Sequence, residues 1–107
     1  MLGQQAVCTY GCDPENPSIT HIYTGSVMRN LKEGLRAVVL AVNWGDTDSQ
    51  DVLFAPIDHD LAINQTDNCT MRDLWTKEEI QLKGKDVQTW SIGPHSHVVK
   101  LVKCTAF

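Results

Sequence analysis

The sequence predicts an all-β fold: an antiparallel β-sandwich of about seven to eight short strands with Greek-key-like connections. Three observations lead there. Apolar and β-branched residues alternate in short runs, turn signals rich in Gly, Pro, Asn and Asp separate the runs at regular spacing, and no stretch keeps a helical period beyond one turn. A chain of 107 residues suits a single domain with one core. Its 42% hydrophobic and 21% charged residues are those of an ordinary globular domain.

Residues 1–18 read as a lead-in segment and 19–107 as the sandwich. The lead-in holds "CTYGCDPENPS", a turn and loop cluster without periodicity. "ITHIYTGSVM" (19–28) is rich in Ile, Thr, Tyr and Val and reads as a strand. "RNLKEG" turns the chain at Gly34. "RAVVLAVNW" (36–44) is the clearest strand, with Val38, Leu40, Val42 and Trp44 on one face and Ala37, Val39 and Ala41 on the other. An alternating run apolar on both faces belongs to a central strand covered on both sides, or to one with a flat small-residue face. The continuity with Val38, Leu40 and Val42 points Trp44 to the core.

"GDTDSQ" is a turn, and "DVLFAP" a short strand with Val52 and Phe54 on one side and Pro56 at its end. "IDHDLAIN" (57–64) has room for one helical turn before a polar loop. "CTMRDLW" alternates as a strand, "TKEE" turns, and "IQLKGK" is a short strand bending at Gly84. "DVQTWSI" is a strand, Gly93-Pro94 a turn, and "HSHVVKLVKC" (95–104) the closing strand.

The formal net charge of −4 and the scattered Lys and Arg residues give no basic stripe, so no nucleic-acid partner is expected. No apolar run approaches a membrane span, and no membrane partner is expected either. Four cysteines and two sequons, at Asn64 and Asn68, point to the secretory pathway and to a glycoprotein. "MLGQQAVC" has no signal-peptide pattern. Secretory chemistry without a leader suggests a piece of a larger precursor, secreted or lysosomal/vacuolar.

Four groups of residues invite a chemical reading. His95 and His97 share one strand face, a workable metal-ligand pair. No third ligand stands at a diagnostic spacing, although His21 and His59 are present. The bland alternative is a closing strand whose histidines meet water, and no metal or other cofactor is expected. Cys8 and Cys12 have a three-residue gap, less diagnostic of zinc than Cys-x-x-Cys. Disulfides are the better reading. Of three connectivities, Cys8–Cys12 and Cys69–Cys104 is favoured, because the first two share a loop and the others lie in separate strands. Cys104 and His97 lie seven residues apart on opposite strand faces and cannot form a nucleophile–base pair. Asp58 and Asp60, and Glu78 and Glu79, are sequence neighbours on loops rather than carboxyls across a cleft. No catalytic residue is expected. Trp44, Trp75 and Trp90 are candidates for contact with sugar, against the commoner role of aromatics on strands as core.

Four segments in order resemble one family. "MRDLW", "PHSHVVKLVK", "GLRAVVLAVNW" and "LGQQAVC" are similar to segments of the C-terminal domain of the α-galactosidases and α-N-acetylgalactosaminidases, the clan D glycoside hydrolases. The last resembles the segment leaving the catalytic barrel after a Gln-Asp-Pro. Ser96 stands where the family has Gly. The resemblance implies a sandwich packed on a (β/α)₈ barrel of about 250 residues that carries the catalytic aspartates. This chain would then be the non-catalytic C-terminal domain of a retaining glycosidase, with the parent enzyme's catalytic barrel as its partner. Alternatives of other classes are a carbohydrate-binding module with exposed tryptophans, and a free-standing immunoglobulin-like secreted domain.

Overall fold

The computed structural model describes residues 7–30, 34–56 and 67–105. They form eight strands: β1 (Val7–Tyr10), β2 (Thr20–Asn30), β3 (Gly34–Asn43), β4 (Gln50–Phe54), β5 (Asn68–Asp73), β6 (Glu79–Lys83), β7 (Gln88–Ile92) and β8 (Ser96–Thr105). Six of them make one antiparallel sheet in the order β1-β2-β3-β8-β5-β6, and β4 pairs with β7 in a second sheet. From β3 the chain crosses to the small sheet as β4, returns to build β5 and β6, crosses again as β7, and inserts β8 between β3 and β5. This is the expected antiparallel sandwich. The helical turn expected at 57–64, with Asp58, His59, Asp60 and the sequon of Asn64, lies outside the described residues, as do residues 1–6.

Strand alternation fixes the core. Across the large sheet, Ile22, Ala41 and Val98 are in register, as are Thr24, Val39, Lys100 and Asp73, and then Ala37, Val102 and Met71. This inner face meets Val52, Phe54, Trp90 and Ile92 of the small sheet in one buried cluster. Ala37, Val39 and Ala41 are fully buried. Their small size lets the bulky rings approach, and Phe54 stacks on Trp90 at 5.2 Å between centroids. Small residues facing large ones let the two layers approach closely, as close packing of an interior requires.

Polar side chains join the layers. Asn43 is fully buried; its Nδ2 donates to the carbonyls of Asp48 (3.0 Å) and Ile92 (2.9 Å), and its Oδ1 accepts from the Gly45 N–H (2.8 Å). It thus ties the end of β3 to the turn beyond it and to β7. A side chain at Gly45 would strike Ile19 and Asn43. Asn43→Ala would leave these groups unpartnered, and is expected to lower stability by about 2–4 kcal/mol in urea unfolding.

Lys100 reaches from the inner face to Asp73 (2.8 Å) and lies 5.5 Å from the Trp90 ring centroid. Asp73 also accepts from the N–H groups of Trp75 and Thr76. The Lys100 hydrogen bond is the main cause holding the Asp73 pKa down, from the ordinary 3.8 to about 2. A depressed carboxylate contributes fully above its unfolded value, and that contribution fades as pH falls from roughly 4 to 2. Screened by solvent, it amounts to about 1 kcal/mol. Urea midpoints measured across that window should fall more steeply for the wild type than for Asp73→Asn.

Three expectations need correction. A strand, β1, forms inside the lead-in: Val7 and Cys8 pair with Thr24 and Tyr23, with an irregularity before Tyr10. It ends at Gly11, whose φ of +86° and crowded Cα require glycine. Leu74 and Trp75 are not part of β5, because Asp73 caps the next N–H groups and turns the chain. Trp44 is not core, being 53% exposed at the end of β3. Of the four apolar residues of β8, only Val102 is fully buried, while Val98, Val99 and Leu101 are partly covered.

Candidate functional site

The outer face of the large sheet follows from the same alternation. Its rows are His21, Val42 and His97; Tyr23, Leu40 and Val99; and Gly25, Val38, Leu101 and Arg72. Val38, Leu40, Val42, Val99 and Leu101 form an aliphatic stripe at its centre. The small sheet lies on the opposite side; Val42 is nonetheless buried, while Val38, Leu40, Val99 and Leu101 are half-buried. A sheet face meant for water would alternate to polar residues here. The polar residues stand instead at one margin, where Arg36, Lys103, Thr70 and Gln81 share a row. An apolar centre with a polar rim is the anatomy of a protein interface.

At the other end, a depression of ≈ 320 Å³ is lined by Leu40, Val42, Trp44, His95, Ser96 and His97. His95 has a φ of 54° and turns away to Asp46 (2.6 Å). The two histidines are therefore not presented as a ligand pair, because His95 sits in the turn rather than on β8. His95 and Asp46 are both well exposed, so this pair adds little. Changing His95 and His97 together to Ala is expected to shift stability by less than about 1 kcal/mol. A thermal melt checks it.

The corner beside the stripe is more ordered. His21 Nε2 lies 3.0 Å from the Ser18 carbonyl, which only accepts, so Nε2 carries the proton. Nδ1 is then the acceptor. It receives the Trp44 indole N–H (3.1 Å) and the Tyr23 hydroxyl (3.1 Å), and Cys12 Sγ lies 3.5 Å away. Disulfides join Cys8 to Cys12 here and Cys69 to Cys104 in the core.

The remaining candidates are dispersed. Trp90 is 9% exposed and stacked on Phe54, so it offers no face to a sugar. Trp75 is 93% exposed on the β5–β6 turn. Glu78 and Glu79 are exposed near the same turn. Asn68 is exposed, accepts a hydrogen bond from Lys83, and pairs in the ladder with both β6 and β8. Asn43 and His21 were not marked as organising residues by their sequence context. An Asn ending an apolar run before Gly-Asp is the one local signal that was available.

No curated protein matches the chain. Solved structures do. α-Galactosidase I from Mortierella vinacea matches with a TM-score of 0.68 at 15% identity, over 94% of this chain and 23% of the other. A family 27 β-L-arabinopyranosidase from Geobacillus stearothermophilus matches with a TM-score of 0.64 at 19% identity, over 97% of this chain and 20% of the other. The chain thus spans about a fifth of the length of each of these enzymes, and at such identities the likeness is one of fold. A family model described as the α-galactosidase C-terminal β-sandwich domain matches residues 25–102, which run from β2 through most of β8. With the sandwich and the order of its segments both in agreement, the chain belongs to the α-galactosidase C-terminal β-sandwich domain family.

Proposed function

We propose that this chain is the non-catalytic C-terminal domain of an α-galactosidase-like retaining glycosidase, and that it covers and stabilises the catalytic (β/α)₈ barrel. Residues 1–18 would lead from the barrel and 19–107 would form the docked domain. The observation that carries the reading is the aliphatic stripe on the outer face, where Val38, Leu40, Val99 and Leu101 stay half-buried around the buried Val42. The four half-buried side chains gain from further burial, each by less than the roughly 1.5–3 kcal/mol of a side chain taken from full exposure.

The test compares the chain alone with its parent polypeptide. Sequence 5′ of the Met1 codon is expected to encode a βα-repeat region ending in Gln-Asp-Pro. Leu40→Asp with Leu101→Asp, at half-buried positions, should cost the isolated chain less than the parent, which it should strip of thermal stability and of soluble yield. Equal destabilisation of both would make the stripe part of the domain's own core. The isolated chain should also release no chromophore from an aryl α-galactoside.

A secretory route is part of the same reading. Asn64, in a polar stretch of sequence, is the expected glycan acceptor. Asn68 is held in a paired strand beside a disulfide cysteine. Peptide mapping of protein from a secretory host, with Asn68 occupied and Asn64 bare, would reverse the assignment.

The exposure of Trp75 favours a second reading as a carbohydrate-binding module. Galactose or a galactan should then quench tryptophan emission in the wild type and not in Trp75→Ala. Unchanged emission in both leaves only the docking role.

A further inference from the structure

Among the described residues, one set of metal-capable side chains converges: Cys8, Cys12 and His21, with donor atoms all within 4.8 Å of one another. While the disulfide stands, neither sulfur is a thiolate, and the thiolate is the form that binds metal. We propose that reduction of Cys8–Cys12 converts this corner into a site for one thiophilic divalent cation of the zinc class, bound by Sγ of Cys8, Sγ of Cys12 and Nδ1 of His21, with water in the fourth position.

The geometry is nearly in place. Zinc–sulfur and zinc–imidazole bond lengths at a tetrahedral angle put sulfur about 3.6 Å from nitrogen. Cys12 Sγ already lies 3.5 Å from His21 Nδ1. The same geometry sets the two sulfurs about 3.8 Å apart, which Cα atoms separated by 6.3 Å accommodate by side-chain rotation. His21 is oriented for the task. The Ser18 carbonyl holds the proton on Nε2 and leaves Nδ1 as the acceptor, within reach of Cys12 Sγ and open to a cation once the Trp44 N–H and Tyr23 O–H give way; a partner on the other ring nitrogen fixes tautomer and ring direction in metal sites.

The redox step balances with a dithiol or phosphine as reductant. Two electrons and two protons convert the disulfide to two thiols; a dithiol supplies both and closes to a cyclic disulfide, or a phosphine supplies the electrons and takes its oxide oxygen from a water molecule that gives up the two protons. Each thiol then releases its proton as it binds the cation. Reduction should be selective. Cys12 is exposed and Cys8 half-buried, whereas Cys69 and Cys104 are 3% and 2% exposed. Trp44 reports the event, because a cation on Nδ1 displaces the indole N–H that donates there.

The experiment treats the full chain with a water-soluble phosphine without denaturant, removes it anaerobically, and titrates with Cd²⁺. Mass mapping should show Cys69–Cys104 intact. One equivalent should bind, with a thiolate-to-cadmium ultraviolet band and a change in tryptophan emission, while the oxidised chain binds none. Reduced His21→Ala and His21→Gln, their folds checked by near-ultraviolet dichroism, should bind at least about tenfold more weakly. Cys8→Ser with Cys12→Ser should lose the band. Absence of the band in the reduced wild type, equal binding by the oxidised chain, or unchanged affinity in both folded His21 variants would each overturn the proposal.

Discussion

Phe54→Ala is expected to lower the stability of the chain by about 3–5 kcal/mol, the range for truncating a buried aromatic ring. Phe54 is fully buried and stacks on Trp90. The site has little means of collapsing, because the residues opposite are Ala37, Val39 and Ala41, already small and held in the central strand. The consequence extends beyond one cavity. Among the described residues the small sheet is a single pair, β4 and β7, and a lone two-stranded sheet is marginal in water. It is held by Val52, Phe54, Trp90 and Ile92 against the large sheet, and by the Asn43 bond to the Ile92 carbonyl. Phe54→Ala should therefore loosen the whole layer. Urea unfolding should show a lower midpoint, and Trp90 emission should shift red before the main transition. Phe54→Leu should recover part of the loss. A change under about 1 kcal/mol for the alanine variant would mean that the small sheet contributes little to the core.

The strands were legible because alternation and turn chemistry are local. β3 illustrates both the reach and the limit. Period two separates Ala37, Val39 and Ala41 from Val38, Leu40 and Val42, but it does not say which set the second sheet will cover. Bulk suggested the larger set. The structure buries the smaller one, since small residues leave room for Phe54 and Trp90. The assignment of Trp44 to the core inherited that ambiguity. β1 was hidden for another reason: four residues amid Cys and Gly carry no periodicity, and their pairing is decided by β2.

The two sites differ in the same way. The proposed docking face was half legible, because a strand apolar on both sides invites a cover on each and the described residues supply a second sheet on one. The His21 corner was not. His21 gains its meaning from Ser18, Tyr23, Trp44 and Cys12, of which Trp44 lies 23 residues away and is brought near by the pairing of β2 with β3. Nothing in the spacing of those residues announces a shared lone pair.

Replacing Cys69 and Cys104 together by Ala is expected to cost about 3–4 kcal/mol in the chain-entropy model, since the bond closes a loop of sequence separation 35. The two cysteines are direct cross-strand partners on β5 and β8, packed beside Leu82, so the native sheet holds them opposite each other without the bond. Its effect therefore lies mostly in the unfolded chain, which expands when the link is cut. The urea m-value should rise as the midpoint falls, because more surface becomes exposed on unfolding. β8 makes the effect large for this fold. It is central, paired with β3 on one side and β5 on the other, and its far end is fastened at Cys104. Hydrogen exchange should accelerate first at Val102 and Cys104 and much less at Val98. The Cys8–Cys12 bond closes a loop of separation 4 at an edge strand, so the same model gives it about 2 kcal/mol or less. Its removal should speed exchange only in β1 and the adjoining end of β2. Equal losses from the two double variants, or an unchanged m-value for Cys69→Ala with Cys104→Ala, would place the stabilisation in native-state packing instead of in the unfolded chain.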